Sequence, residues 1–252
     1  MITAKSIGTG GLGRFCNQAF TIASTIGIAV KNGQPFGFPD WVNQDNKLFG
    51  GNADMMSEYF VNPLPKWVEG IDYTDIPYHW EYRDYNIPSG NWNICSHLQD
   101  PRYFEHCMPL IRETLRMKDE PEQNDFVALH FRAGDYQDDP NAYHPRCSKE
   151  YYESAMSMFP DAKFLVFSDD TAAFFNLKIK GNYFDHYSGG RYLQEFGIMK
   201  RCKHFITANS SFSFMAALLG EHPEKKIIMP SRWFGTQANI KFEGYPREAI
   251  VI

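Results

Sequence analysis

The sequence predicts an α/β protein: parallel sheets covered by helices, arranged as two units. Three observations carry this. Strand and helix signals alternate along most of the 252 residues, the pattern of strands joined by crossover helices. A glycine-rich turn, Gly8-Thr-Gly-Gly-Leu-Gly13, separates the first strand signal from the first helix signal. A polar break, Lys118-Asp-Glu-Pro-Glu-Gln-Asn-Asp125, is the best linker candidate and divides the chain into residues 1–120 and 121–252.

Taken in order, Ile2–Ile7 reads as a strand. Phe15–Val30 reads as a helix, because Phe15, Ala19, Ile22, Ala23, Ile26 and Ala29 fall near one face. Residues 33–90 are weakly patterned and interrupted by prolines, so short strands and turns are expected, with a helix near Asp54–Phe60. Trp92–Cys95 reads as a strand and Pro101–Met117 as a helix with Pro101 in its first turn. Beyond the break, strands are predicted at Phe126–Phe131, Lys163–Phe167, His204–Thr207 and Lys225–Met229. Helices are predicted at Lys149–Phe159, Thr171–Leu177, Arg191–Arg201 and Phe212–Leu219.

Composition narrows the function classes. Apolar residues make up 43% and charged residues 22%, as in ordinary globular chains. The 25 basic and 30 acidic side chains give a net charge of −5, which argues against a nucleic-acid partner, since phosphate readers are basic. The 21 Phe, 14 Tyr and 5 Trp either stack on sugars or bases or fill a core. Five widely spaced cysteines without a CxxC read as reduced, structural thiols rather than a disulfide framework or zinc site. The opening run lacks a basic start and apolar stretch. No segment approaches the ~18 apolar residues of a membrane span. The expectation is a soluble, cytoplasmic chain.

Four loops that follow strands can carry chemistry, because ligands of parallel sheets bind at the carboxyl ends of strands. Gly8–Gly13 matches GxGxxG, but position 33 is Gly where a dinucleotide site needs an acid. A nicotinamide-dependent oxidoreductase is thus a rival reading, and a tight turn the plain one. In Val127-Ala-Leu-His-Phe-Arg-Ala-Gly-Asp-Tyr136, alternation puts His130 and Arg132 on one face. Arg132 suits a diphosphate through its planar fork, or else simply pairs with Asp135. After Phe164-Leu-Val-Phe-Ser168, Asp169 and Asp170 are candidates for a metal, a ribose, a base edge or a helix cap. Finally, Asn209, Ser210 and Ser211 precede an apolar helix, where exposed N–H groups form an anion site, or a cap.

Together these loops resemble the α-1,2-fucosyltransferases of glycosyltransferase family 11. His130-Phe-Arg-Ala-Gly-Asp-Tyr136 is similar to their HxRxGDY motif and Phe167-Ser-Asp-Asp170 to their second motif. Glu195-Phe-Gly-Ile-Met-Lys-Arg-Cys-Lys-His204 leading into Ala208-Asn-Ser-Ser-Phe-Ser213 is similar to their third. Gly13-Arg-Phe-Cys-Asn-Gln18 resembles a turn shared more loosely with protein O-fucosyltransferases. Glu195 stands where the family usually has Asp, and Phe214 where it usually has Trp.

The resemblance implies a GT-B glycosyltransferase: two Rossmann-like domains, the N-terminal one on the acceptor side and the C-terminal one binding GDP-L-fucose. It implies inverting, metal-independent transfer to a glycan, with α-1,6 or protein O-fucosyl transfer as alternatives. A non-catalytic GDP-sugar or glycan-binding module is the rival of another class. Arg132, His130 and Asp135 are the implied catalytic group. Gly13, Asn17, Arg132, Asp169, Asp170, Glu195, Asn209, Ser210 and Ser211 are the implied donor contacts. His130 is either a general base or a packed histidine that positions Arg132.

Overall fold

A computed structural model describes residues 1–9, 13–42, 58–185 and 192–252. The chain divides into two compact units, Met1–Lys118 and Asp119–Ile252.

The first unit holds β1 (Ile2–Thr3), β2 (Thr74–Ile76) and β3 (Trp92–Ile94), all parallel, in the order β1-β3-β2. Helix α1 (Phe15–Lys31) is buried along nearly its whole length. Two of its interior hydroxyls turn to loop carbonyls: Thr21 donates to His97 O (3.3 Å) and Ser24 to Leu98 O (2.8 Å). A Cβ at Gly27 would meet Tyr103 O at 2.0 Å, so glycine lets α1 lie directly on the turn that follows β3.

The second unit is a single parallel sheet of β4 (Asn124–Phe131), β5 (Lys163–Ser168), β6 (Asn182–Asp185), β7 (Cys202–Ile206), β8 (Ile227–Met229) and β9 (Ala249–Val251). The order is β6-β5-β4-β7-β8-β9, so successive strands run outward from β4 on one side and restart at β7 on the other. This is the doubly wound order of dinucleotide-binding sheets, and its switch point lies between β4 and β7. Helices α3 (Lys149–Ser157), α4 (Thr171–Asn176), α5 (Tyr192–Met199) and α6 (Ser211–Leu219) make the crossovers. Val127 to Phe131 are all buried, as a central strand covered on both faces requires. Val127, Leu129 and Phe131 pack with Tyr152, Ala155 and Phe159 around α3. Lys225 Nζ closes the end of α6 by donating to Ala217 O and Gly220 O, both at 2.9 Å.

Several expected elements differ. The first strand stops at Thr3 rather than Ile7, because Ile7 N–H turns back to Ala4 O (3.1 Å). The helix expected over Pro101–Met117 is two 3₁₀ turns, Pro101–Tyr103 and Glu105–Cys107, followed by α2 (Met108–Thr114). Pro109 explains this: its ring excludes a helical carbonyl four residues earlier, so it sits in the first turn of a new helix. Strand β4 begins at Asn124, inside the polar break. Strands β6 and β9 lie at the sheet edges and were not anticipated. The first four residues of the helix expected near Asp54–Phe60, and Arg191 at the start of another, lie outside the described residues.

Candidate active site

The carboxyl ends of β4, β5 and β7 adjoin because Phe131 pairs with Ser168 and Leu129 with Ile206. They bring three of the four sequence loops together in the second unit.

Arg132 follows β4 directly. Its Nε and Nη2 both reach Asp135 Oδ1, at 3.1 and 2.5 Å, and its Nη1 reaches Asp169 Oδ2 at 2.7 Å. Asp169 also accepts the Ala133 N–H at 2.8 Å, so it is fixed to the loop it supports. Asp135 is the more open partner, with 53% of its side chain exposed against 27% for Asp169. The Arg132–Asp135 pair weighed from sequence is therefore present, with a second carboxylate added. The guanidinium also lies 5.6 Å from the Tyr136 ring.

Tyr136 links this clamp to the serine loop. Its hydroxyl donates to Asn209 O (2.9 Å) and bonds Ser210, and burial pushes its pKa up. Ser210 is the N-cap of α6 and accepts from Phe212 N–H (3.4 Å). Ser211 opens the helix. Asp170 caps α4 by accepting from Ala173 N–H (2.9 Å). Glu195 lies in the first turn of α5.

His130 is buried. Its Nδ1 meets Ser213 Oγ at 2.8 Å, and its carbonyl accepts from the Tyr152 hydroxyl at 3.0 Å. Burial, then the Arg132 charge, pushes its pKa down to about 3 against the opposing pull of Asp169. It is neutral at working pH and packs 5.6 Å from the Phe212 ring. This has a stability signature. Above an ordinary histidine pKa of about 6.5 both folded and unfolded chains are neutral here, and the contribution is full. As pH falls toward 3 the unfolded chain binds a proton that the folded one refuses. Stability then drops by at most about 1.4 kcal/mol per pH unit. Thermal midpoints measured from pH 7 to pH 4 are expected to fall more steeply for the native protein than for His130→Gln. Parallel curves would show that His130 titrates freely.

Asn209, an implied donor contact, has its side chain buried and bonded inward. Nδ2 donates to Pro145 O and Trp233 O, both at 2.9 Å, and Oδ1 accepts from Cys147 Sγ at 3.3 Å. One amide pins two remote loops.

Gly13 and Asn17 belong to the first unit. Gln18 bridges the two shoulders of the glycine turn: Oε1 accepts from Gly8 N–H (3.1 Å) and Nε2 donates to Gly13 O (2.8 Å). Asn17 Oδ1 accepts from Gln99 Nε2 at 2.9 Å. Gly10, Gly11 and Leu12 lie outside the described residues. The length of Gln18 and its place one turn into α1 suit this staple. Tyr152 and Ser213 were also missed in their roles, since nothing in sequence shows what a buried hydroxyl meets.

All five cysteines are free. Among the described residues no helix is long and apolar enough to cross a membrane.

Comparison with known proteins follows the same lines. A model of glycosyl transferase family 11 matches residues 55–243. The chain is 31% identical over 126 residues to the O-antigen biosynthesis glycosyltransferase WbnK of Escherichia coli, covering 45% of this chain and 40% of that protein. It is 28% identical over 138 residues to an alpha-1,2-colitosyltransferase of Escherichia coli, covering 50% and 47%. The matches thus span less than half the length of either relative. A structure of NodZ alpha-1,6-fucosyltransferase soaked with GDP-fucose is similar at a TM-score of 0.52 and 14% identity, over 86% of this chain and 91% of that one. Fucosyltransferase NodZ from Bradyrhizobium is similar at 0.51 and 12%, over 86% and 92%. At these identities the likeness is one of fold.

Proposed function

Because the chain belongs to glycosyl transferase family 11, we propose that it transfers L-fucose from GDP-β-L-fucose to a glycan hydroxyl with inversion, forming an α-1,2 link to galactose. In this reading the units are the halves of a GT-B enzyme, Asp119–Ile252 taking the donor and Met1–Lys118 the acceptor. One observation carries it most: an arginine held by two carboxylates at the switch point of a doubly wound sheet, beside a serine-capped helix N-terminus. The alpha-1,2 name of one relative supports the linkage.

Departure of GDP leaves negative charge on the β-phosphate, so catalysis needs fixed donors there. The Nε–Nη2 edge of Arg132 is the two-pronged face that fits a phosphate. That edge is occupied by Asp135 in the free protein. Donor binding exchanges the Asp135 carboxylate for phosphate oxygens, while Asp169 keeps hold of Nη1 and the loop. Ser210, Ser211 and the first N–H groups of α6 complete the anion site. Asp135, released and partly exposed, takes the acceptor proton as general base. His130, buried and neutral, positions Arg132 and is not that base. Glu195 and Asp170 orient the nucleoside end from the edges of the same site, and Gly13 and Asn17 act from the acceptor side.

Positive charge at the leaving group comes from Arg132 and the α6 terminus, so no divalent metal is required. Turnover is expected to persist in EDTA. Loss on chelation with recovery in Mn²⁺ would give Asp169 and Asp170 a metal role instead. The reading itself is tested by a screen of GDP-fucose, GDP-mannose, UDP-sugars and a colitosyl donor, followed by nucleotide release, with linkage analysis of the product. GDP-fucose is expected to be preferred. A UDP-sugar preference would overturn the donor, and an α-1,6 product the linkage. Binding without turnover would favour a non-catalytic module.

A further inference from the structure

We infer that the first unit carries a sugar-binding surface formed by Tyr78, Trp80 and His97, and that its ligand is a neutral pyranose of the acceptor glycan. The sugar's role as acceptor rests on the transferase reading; its binding does not.

Residues 77–80 follow β2 and residues 95–98 follow β3, so these rings sit at the carboxyl edge of a parallel sheet, where ligands bind. Tyr78 is 48% and Trp80 42% exposed. The ring centroids are 5.6 Å apart for Tyr78 and Trp80, 5.9 Å for Tyr78 and His97, and 5.7 Å for Trp80 and His97. Scattered exposed aromatics are ordinary, but adjacent ones on a ligand-binding edge are not.

The backbone that carries the two outward rings is tied down. Alternation turns His79 inward between the two outward rings. Its N–H donates to Ser96 Oγ (3.0 Å), its Nδ1 meets Glu81 O (2.8 Å), and its Nε2 bonds the Tyr85 hydroxyl. Ser96 also donates to Pro77 O at 3.4 Å. A surface held this way loses little freedom on binding.

The chemistry favours a neutral sugar. Burial lowers the His97 pKa, so the rings are uncharged. The axial C–H bonds of a pyranose are weakly positive and pack on the negative face of an aromatic ring. His97 Nδ1 is buried without a hydrogen-bond partner among the described residues, a cost that packing alone does not explain. The same strand end reaches the motif residue Asn17: Thr21 of α1 holds His97 O, and Gln99 holds Asn17 Oδ1. The loop after β3 that carries His97 is thereby tied to the first turns of α1.

The test is saturation-transfer NMR of the full chain with methyl β-D-galactopyranoside, methyl α-D-mannopyranoside and guanosine. A pyranoside is expected to bind, and Trp80→Ala and Tyr78→Ala to weaken it about tenfold, the scale of a lost aromatic stack. Trp80→Phe, which keeps a ring, should retain most of the signal. In transfer assays the loss should fall on the acceptor KM rather than on kcat. Guanosine binding alone, no pyranoside binding, or equal binding by Trp80→Ala would each overturn the proposal. Failure of the native protein to hydrolyse GDP-fucose would count against the donor reading and leave this titration standing.

Discussion

Arg132→Ala is expected to lose at least about 10²-fold in turnover, the scale of one lost transition-state donor. Arg132→Lys is expected to lose nearly as much. Lysine keeps the charge, but it cannot present two parallel N–H groups while a third donor stays on Asp169. Both proteins should fold, because Arg132 lies outside the apolar cluster of the sheet and its two carboxylate partners keep access to solvent. Asp135→Asn gives the contrasting result. It weakens the group that competes with the diphosphate, so GDP should bind more tightly, while transfer falls because the base is gone. The measurements are GDP affinity by calorimetry and initial rates of transfer. Arg132→Lys at full activity, with Arg132→Ala unfolded, would make the arginine a structural ion-pair partner.

Gly134→Ala is expected to cost about 10²-fold in kcat without unfolding the chain. A Cβ there would lie 2.4 Å from Asp169 Oδ2 and 3.9 Å from Arg132 Nη2. Asp169 cannot retreat without giving up the Ala133 N–H, the Arg132 contact, or both. A displacement of about 1 Å in a positioning group is enough for a loss of that size. Rates and melting curves of the single variant decide the matter. Unchanged turnover would show that Asp169 does not aim Arg132.

What the sequence revealed follows from where the physics is local. Strands β4 and β5 are continuous apolar runs and α6 is apolar all round, so their signals are strong. Strands β6 and β9 are short and lie at edges, where half-exposed residues such as Phe184 and Ile250 give no clean period. Arg132, Asp135 and Asp169 were legible because their motifs end strands. The inward turn of Asn209 was not legible, since it depends on Pro145 and Trp233, carbonyls supplied by distant loops. Pro101 suits a first helical turn and opens only a 3₁₀ turn; Pro109 holds that place in the α-helix, since Phe104 leaves helical geometry with φ −137°.

The position of β4 at the centre of its sheet also governs the order in which the site can be made. During synthesis the stretch from β4 through α4 emerges before β7, carrying Arg132 with both of its carboxylate counter-ions. Both carboxylates that neutralise the guanidinium are therefore present before β7 exists. The opposite flank of β4 stays bare until β7 has been translated, and it is lined by Val127-Ala-Leu-His-Phe131. An unpaired apolar strand edge is a template for association between chains. A ribosomal pause or a premature stop between α4 and β7 therefore yields a nascent chain that holds its arginine correctly and is nonetheless prone to aggregate.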